Sequence, residues 1–379
     1  MTMVESRPVA VEAAVEAAVE ARPPRLASLD VLRGLTIAGM ILVNNQGSGA
    51  HAFPGMAHAK WNGWTLADLV FPSFLFIVGA SMAYAFARCL DGPGGSTGRL
   101  HAKVVRRAVT LFGLGLVLNG FPYGDLGDLR MMGVLQRIAL AYLLASLLVL
   151  HAPARKQVRV AAVALLAYWA MLLLPVPGHA AFHMSPALNV AGQVDRDVLG
   201  PTHVYKNGGY DPEGLLSTIP AVVSVLAGYW AASWVRRQRV SAAVSRRLAL
   251  WGAACVGGGL VWGLVLPVNK RLWTSSYVVL AAGFSLLLLA GCYEVVEVRR
   301  RRRVAQPFVV YGMNAIVVFM ASEQLMYFMD RFHWRPWLYD HAFSRLGLHV
   351  GSLAYGLAMC ALWWGVCWVL WRRRIFVKI

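Results

Sequence analysis

The fold is decided by residues 58–87, which read HAKWNGWTLADLVFPSFLFIVGASMAYAFA. A polar, aromatic opening that contains His58 and Asp68 runs directly into a strongly apolar stretch. About twenty apolar residues are enough for an α-helix to cross a bilayer. A lipid-embedded helix does not need the polar opening, whereas a site that handles a polar substrate at the membrane edge does.

The composition extends this pattern to the whole chain. Of the 379 residues, 58% are hydrophobic and 14% are charged, and the mean hydropathy is +0.55. A soluble domain carries roughly 25% charged residues. The sequence therefore predicts an all-α, polytopic helical membrane protein with about ten transmembrane helices. Their approximate limits are 31–48, 66–87, 106–121, 131–150, 158–175, 216–234, 248–267, 273–295, 306–327 and 349–371.

The basic residues, which give a net charge of +18, predict the orientation. They recur as short blocks at helix ends, which is typical of the cytoplasmic side of a membrane protein and argues against a nucleic-acid partner. With ten spans and both termini cytoplasmic, 25 lysines and arginines fall in inner segments and 8 in outer segments. The run Arg299 to Arg303 is most simply a stop signal that contacts anionic lipids, with contact to an anionic cofactor as the alternative. The predicted outer segments are 49–65, 121–130, 176–215, 268–272 and 328–348.

The N-terminal residues and the cysteines add two further predictions. Residues 1–28 are expected to form a flexible N-terminal cytoplasmic extension, ahead of a transmembrane domain over residues 29–379. A positively charged segment followed by an apolar stretch is missing from this extension, so a cleaved signal peptide is not expected. The five cysteines form no CxxC pair, so the sequence predicts neither a disulfide framework nor a metal site.

The outer segments hold the residues that could carry chemistry. His58 can exchange a proton near neutral pH and act as a general base or nucleophile, or it could only hydrogen-bond a headgroup or a loop carbonyl. Asp68 lies ten residues further on, where it could orient an imidazole, and an acidic group within a span is a functional candidate. Asn44 ends the first span, where it could donate to a developing oxyanion or simply cap the helix.

Polar residues within the spans allow two interpretations each. Asp30 and Arg33 have the spacing of a helical ion pair, with a second possible role near a cytosolic anionic ligand. Arg137, which follows Gln136 in the fourth span, should face the bundle interior. There it could pair with Asp68, or it could hold a phosphate or a carboxylate.

The later outer segments are similar in character. Asp211 and Glu213 precede the sixth span, where they suit the helix dipole or could bind a cationic amine. Lys270 and Trp273 lie in a polar, aromatic turn before the eighth span, although Trp273 could be only an aromatic-belt anchor. Asn314 lies inside the ninth span, where an amide often joins two helices.

Together these motifs identify a family. The chain resembles bacterial members of the heparan-alpha-glucosaminide N-acetyltransferase family of transmembrane acyltransferases. The matching pieces occur in family order and cover nearly all of the membrane domain. They are residues 28–34 (SLDVLRG), 43–44 (VN), 58–63 (HAKWNG), 67–72 (ADLVFP), 133–137 (GVLQR), 211–214 (DPEG), 268–273 (VNKRLW) and 312–314 (GMN).

The resemblance implies an enzyme of a bacterial inner membrane. Acetyl-CoA from the cytosol would donate its acetyl group to the amine of a glucosamine-type sugar on the outer side, without a metal, and the family suggests a homodimer. The resemblance also implies that His58 is catalytic, with Asn44 beside it, and Asp68 would orient the imidazole. His58 would either take the amine proton or transiently carry the acetyl group. The residues expected to bind CoA are Arg33, Arg106, Arg107, Gln136, Arg137 and Asn314, and those expected to bind the sugar are Trp61, Asn62, Asp211, Glu213, Lys270 and Trp273.

The sequence departs from the family in two places. The animal relatives carry a large lumenal domain ahead of the first span, where this chain has about 28 residues, so glucosamine or a cell-wall amino sugar is the expected acceptor. Ser322 stands beside Glu323, where the family suggests a histidine. Two rival functions stay open: an amino-sugar transporter with His58 and Asp68 as a proton relay, and an O-acyltransferase for a surface glycan.

Overall fold

The structure is a computed structural model that describes residues 26–91, 97–120, 127–178, 184–205 and 209–377. The predicted N-terminal extension lies, up to residue 25, outside these ranges. The described chain is all-helical, which confirms the all-α part of the predicted fold class, whereas the cytoplasmic position of both termini stays a prediction. Its α-helices are α1 (Ala27–Asn44), α2 (Leu66–Ala85), α3 (Ala87–Asp91), α4 (Thr97–Gly120), α5 (Val134–His151), α6 (Ala154–Leu172), α7 (Val190–Leu199), α8 (Thr218–Arg236), α9 (Ala242–Trp262), α10 (Ser275–Tyr293), α11 (Arg302–Gly312), α12 (Ala315–Arg331), α13 (Trp334–Leu338) and α14 (Leu348–Arg372).

A helix lies at each of the ten predicted spans, but the predicted count of ten membrane crossings is not confirmed. Within the described ranges, six helices are long and apolar enough to cross a membrane, namely α1, α2, α5, α8, α10 and α14. The pair α11 and α12, bent by 69° between them, forms a seventh candidate. The remaining long helices α4, α6 and α9 carry arginines or lysines in their N-terminal halves, which shortens their apolar runs.

Close helix crossings at glycines hold the bundle together. A Cβ atom at Gly79 of α2 would lie 1.7 Å from the carbonyl oxygen of Val225 in α8, and one at Gly228 would lie 1.8 Å from that of Phe76. Small residues let helix backbones approach closely in this way. Since α2 carries Asp68 near its start and α8 follows the segment that holds Glu213, this crossing sets the two carboxylates relative to each other.

Gly79→Ala is expected to destabilise the protein, because its new methyl group meets backbone that has no rotamer to change. Overpacking of this kind costs about 1–3 kcal/mol or more. The measurement is the thermal melting temperature of the purified protein in detergent. Gly113→Ala in α4 is the matched control, since its Cβ would meet nothing within 4 Å. Equal melting temperatures for the two variants would contradict the importance of this crossing.

The predicted outer segments contact one another at one end of the bundle. The backbone N–H of Gly63 donates to the carbonyl of Val268 at 2.7 Å, and a parallel bridge joins Gly63 to Asn269. At the same end Arg335 donates to the carbonyl of Gln46 at 3.4 Å. We call this end the loop end.

Candidate functional site

A cavity of about 270 Å³ opens at the loop end, between the end of α1, the start of α2, the start of α5 and the segments around residues 212 and 270. Its wall combines apolar side chains from the helices with charged side chains from the loops, which is the usual make-up of a small-molecule site. The lining residues are Met40, Val43, Asn44, His58, Ala67, Asp68, Val70, Phe71, Arg130, Val134, Tyr205, Pro212, Glu213, Lys270, Arg271, Trp273 and Phe319.

The three residues predicted to be catalytic all line this cavity. The His58 Nδ1 lies 2.8 Å from Asp68 Oδ1, as expected if the carboxylate orients the imidazole. The His58 side chain is 40% exposed, whereas that of Asp68 is 2% exposed. A ring whose Nδ1–H donates to a carboxylate carries its lone pair on Nε2. In the tautomer that the Asp68 carboxylate favours, His58 presents an oriented base at the wall of an open cavity.

The fold at the start of α2 fixes the Asp68 carboxylate. Thr65 is the N-cap of α2, and Asp68 takes the third helical position of a capping box. Asp68 Oδ2 accepts hydrogen bonds from the backbone N–H groups of Ala59 (3.0 Å) and Thr65 (3.1 Å) and from the Thr65 hydroxyl (3.2 Å). Donors of this kind favour the charged carboxylate. One carboxylate therefore closes the 58–65 loop and holds the histidine.

Lys270 joins this pair from a distant part of the chain. Its Nζ lies 3.1 Å from His58 Nδ1 and 3.4 Å from Asp68 Oδ1. With the Nδ1 proton directed at Asp68, the ammonium donates to the carboxylate and not to the ring. Burial lowers the pKa of the Lys270 ammonium, although the carboxylates of Asp68 and Glu213 oppose that shift. The predicted sugar-binding role of Lys270 therefore competes with a role beside His58.

A tight turn over residues 267–274 carries Lys270 and Trp273 into the cavity wall. The backbone N–H of Asn269 donates to the Thr274 hydroxyl at 3.0 Å, and Asn269 Oδ1 accepts from the backbone N–H of Leu272 at 2.9 Å. Trp273 has a φ of 52°, a left-handed conformation that is unusual for a bulky residue. Its indole is 1% exposed and packs edge-on against Phe71 at 5.2 Å. Trp273 is thus a rigid wall of the cavity.

Asn44 reaches the cavity as the last residue of α1. Its Nδ2 donates to the Glu323 Oε1 of α12 at 2.7 Å. An amide nitrogen carries two hydrogens, so this contact orients the group and leaves a second N–H for a ligand. The predicted role as an oxyanion donor is compatible with this geometry, and Glu323 is the residue that would hold the amide in place.

Arg130 is a site residue that the sequence did not identify. Its Nε donates to Asp211 Oδ2 at 2.9 Å, and one terminal nitrogen donates to Asp211 Oδ1 at 2.6 Å and to Glu213 Oε2 at 2.5 Å. The guanidinium also lies over the Tyr205 ring, 4.6 Å from its centroid. The available signal was its place among the few basic residues predicted outside, against the prevailing charge bias.

Charge pairing in this cluster outweighs burial. Burial acts to raise the pKa of Glu213, but the guanidinium of Arg130 lowers it below its usual range. Burial likewise acts to lower the pKa of Arg130, but the Glu213 and Asp211 carboxylates raise it. Both predicted amine ligands therefore already accept hydrogen bonds from a fixed cation, and of the two only Glu213 lines the cavity.

Asp195 anchors the segment that delivers these carboxylates. Its Oδ1 accepts from the backbone N–H of Leu215 at 2.8 Å, and its side chain lies against Gly214. Burial raises the pKa of Asp195 to about 6. No pattern in the sequence predicts this contact, since Asp195 is one of several acidic residues in a long loop.

Trp61 and Asn62, predicted to bind the sugar, join loops and do not line the cavity. The Trp61 Nε1 donates to the carbonyl of Met184 at 2.6 Å, and its ring packs edge-on against Tyr210 at 4.9 Å. Asn62 Oδ1 accepts from the Asn269 Nδ2 at 3.0 Å. These contacts dock the 58–65 loop on its neighbours.

Arg137 is fully buried behind Trp273, with its guanidinium 5.0 Å from the Trp273 ring centroid. It donates to the Gly214 carbonyl at 3.2 Å and to the Ser217 hydroxyl. The proposed pairing of Arg137 with Asp68 is therefore wrong, because Asp68 is held by His58, Lys270 and the α2 cap instead. Arg137, on α5, is therefore a core residue that contacts the segment just before α8.

The structure does not gather the other predicted CoA ligands around the cavity. Arg33 is paired with Asp30 at 2.9 Å, as its spacing predicted, and donates to the Ser81 hydroxyl at 3.0 Å. Arg106 is exposed on α4, and Arg107 lies with its guanidinium 5.0 Å from the centroid of the Tyr142 ring. Their role toward CoA stays a prediction.

Gln136 and Asn314 are buried within the bundle. Gln136 is 1% exposed and lies against Gly115 of α4. The Asn314 Nδ2 donates to the Ile375 carbonyl at 3.0 Å, and its Oδ1 accepts from the Val377 N–H at 2.9 Å. Asn314 therefore ties the bend between α11 and α12 to the segment after α14, and its predicted contact with CoA is untested.

The described residues contain no cluster of side chains that is typical of a metal-binding site. No group of three or more histidine, cysteine, aspartate or glutamate side chains there is placed to hold a metal ion. The reactive groups of the cavity are instead an imidazole, carboxylates, an amide and ammonium or guanidinium groups.

Known proteins resemble this chain over most of its length. Residues 25–258 match the family model described as heparan-alpha-glucosaminide N-acetyltransferase, catalytic. The human protein named heparan-alpha-glucosaminide N-acetyltransferase is 30% identical over 419 residues, which cover 95% of this chain and 61% of the human one. The mouse protein of that name is 30% identical over 413 residues, which cover 94% of this chain and 60% of the mouse one. The chain thus spans about three fifths of the length of these curated relatives.

Proposed function

Because the chain belongs to the heparan-alpha-glucosaminide N-acetyltransferase family, as its motifs predicted, we propose that it is a transmembrane acetyltransferase. It moves an acetyl group from acetyl-CoA to the amine of a glucosamine-type sugar. The observation that carries this proposal is the His58 imidazole, held through Nδ1 by Asp68 at 2.8 Å in the wall of a cavity. A proton relay or a scaffold does not require an amide group such as that of Asn44 in the same wall.

The residues of the cavity supply what the reaction needs. Transfer to an amine forms a carbon–nitrogen bond and breaks the carbon–sulfur bond of the thioester, through a tetrahedral intermediate with a negative oxygen. His58 Nε2 accepts the proton that the amine loses on attack, and can return it to the departing thiolate. The second N–H of Asn44 donates to the negative oxygen, where a fixed donor stabilises charge as it develops.

The two substrates are proposed to arrive from opposite sides of the membrane. Acetyl-CoA would come from the cytosol and the sugar from outside, which the distribution of basic residues in the sequence supports. The contacts between the predicted outer segments at the loop end also support it, since they gather His58 and Glu213 at the same end. A bacterial inner membrane and a homodimer remain proposals of the same kind.

The proposal is tested with the purified full chain in proteoliposomes that enclose radiolabelled acetyl-CoA, with glucosamine outside. Labelled N-acetylglucosamine in the outer solution is the expected product. CoA release without that product would contradict glucosamine as acceptor and favour a hydroxyl of a surface glycan. If folded protein neither consumes acetyl-CoA nor forms product, the enzyme proposal fails, and uptake of labelled glucosamine would then favour transport.

A further inference from the structure

His58 does not form a simple pair with Asp68, because Lys270 shares the same carboxylate oxygen. Asp68 Oδ1 lies 2.8 Å from His58 Nδ1 and 3.4 Å from Lys270 Nζ, and the two nitrogens lie 3.1 Å apart. Two groups that can each carry a positive charge therefore meet at one negative atom. The single negative charge of Asp68 can balance the positive charge of only one of the two groups.

This arrangement opposes a second positive charge on the imidazole. In a plain histidine–carboxylate pair the carboxylate stabilises the imidazolium, whereas a like charge close by disfavours it. The Lys270 side chain is 19% exposed, and the Asn269 and Thr274 hydrogen bonds fix the turn that carries it. The Lys270 ammonium therefore lies close to the His58 ring at the loop end.

Glu213 also acts on the Lys270 charge, but at longer range than Asp68 and while paired with Arg130. Glu213 lies across the cavity wall but accepts from Arg130 at 2.5 Å. Arg271, the next residue after Lys270, adds a positive charge and donates to the Tyr210 hydroxyl at 2.5 Å. Asn44, from the end of α1, is neutral. Among the residues that the structure describes, Asp68 is thus the carboxylate in direct contact with the His58 ring.

We propose that Lys270 is a positioning residue that keeps His58 as a neutral base by sharing Asp68 Oδ1 with it. This inference rests on the proposed acetyl transfer, in which a protonated His58 would be unable to accept the proton of the amine. It replaces the prediction that Lys270 binds the sugar. The two roles differ in how the rate depends on pH and on the sugar concentration.

Lys270→Met is expected to move the acidic limb of the kcat/KM–pH profile for acetyl transfer to higher pH by about one unit or more. That corresponds to a loss of about tenfold on the acidic side. At alkaline pH the variant should approach the wild-type rate, because an imidazole carries no charge there. Lys270→Arg, which keeps the charge, should leave the limb near its wild-type position. Lys60→Met is the matched control, since Lys60 is exposed two residues from His58 and does not line the cavity.

A sugar-binding role for Lys270 gives the opposite pattern. Lys270→Met would then raise KM for glucosamine at every pH and leave the acidic limb where it was, which overturns the proposal. Lys270→Gln is the second variant, and the melting temperatures of both show that the protein compared is folded.

A direct titration separates this proposal from the proposed function. The full chain is labelled with ¹⁵N-histidine, and the His58 ring signal is identified by its loss in His58→Gln. The expected result is a higher titration midpoint for this signal in Lys270→Met than in wild type. An unchanged midpoint defeats the inference even in an active enzyme. A raised midpoint in protein that transfers no acetyl group would support the charge effect and count against the proposed function.

Discussion

Replacing His58 with alanine is expected to lower kcat for the proposed acetyl transfer by about 10²–10⁴-fold, the usual contribution of a positioned general base. The reason is the 2.8 Å contact that fixes the ring on Asp68 while the rest of the imidazole faces the cavity. An alanine at this position leaves no group there that accepts the amine proton. The measurement is the rate of labelled N-acetylglucosamine formation under saturating acetyl-CoA.

His51→Ala is the matched control for this variant. His51 lies in the same loop, with its Nδ1 3.3 Å from the Ser48 hydroxyl, and it does not line the cavity. Its removal should leave kcat within about threefold of wild type, the scale of a surface substitution. A His58→Ala enzyme that kept more than a tenth of the wild-type kcat would remove His58 from the chemistry.

Replacing Arg130 with methionine is expected to destabilise the protein by about 3–5 kcal/mol, the cost of leaving a buried charge without its partner. Asp211 is fully buried and Glu213 is 13% exposed, and both accept from the same guanidinium. Without Arg130 the two carboxylates must stay charged without their hydrogen-bonded cation, take up protons, or pull the segment before α8 out of place. The free energy of unfolding and the melting temperature in detergent report this loss.

The pH dependence of this loss has a definite sign. Arg130 lowers the pKa of the Glu213 carboxyl in the folded protein, so the stabilisation from this pair is present above the ordinary glutamate pKa and is lost as pH falls. The difference in melting temperature between wild type and Arg130→Met should therefore be largest near neutral pH and shrink toward pH 4. A difference that grows on acidification would contradict the pairing.

Two further variants isolate the carboxylates as the cause. Adding Glu213→Gln to Arg130→Met removes one of the uncompensated charges, so part of the lost stability should return. Arg335→Met breaks the 2.5 Å pair with Asp330, whose side chain is 45% exposed, and should cost no more than about 1 kcal/mol. If Arg130→Met were as stable as Arg335→Met, the cluster around Arg130 would have no special role.

The sequence determined the features that depend on neighbours along the chain. Apolar runs of membrane-spanning length predicted a helix at each of the ten positions where one occurs. The pattern Thr65-x-x-Asp68 is a capping box, so the end of the 58–65 loop and the start of α2 are both encoded within four residues. The contact between Asp68 and His58 was also predictable, because only ten residues separate them along the chain.

Some features of the fold could not be predicted from the sequence. The predicted span 306–327 is two helices bent by 69° around Asn314. Apolarity alone does not distinguish a straight helix from a bent pair, because both halves are apolar. The basic residues in α4, α6 and α9 predicted orientation but also shortened the apolar runs of those helices, so ten helices do not amount to ten demonstrated crossings.

Only the tertiary structure decided which polar groups share the cavity. Lys270 meets His58 across 212 positions of sequence and Asn44 meets Glu323 across 279, while Arg130 reaches two carboxylates 81 and 83 positions away. These partners are chosen by how closely the helices cross, as at Gly79 and Gly228, where backbones touch without side chains between them. Local sequence fixes helices and caps because their hydrogen bonds span a few residues. A charge finds its partner through packing, and packing depends on the whole bundle at once.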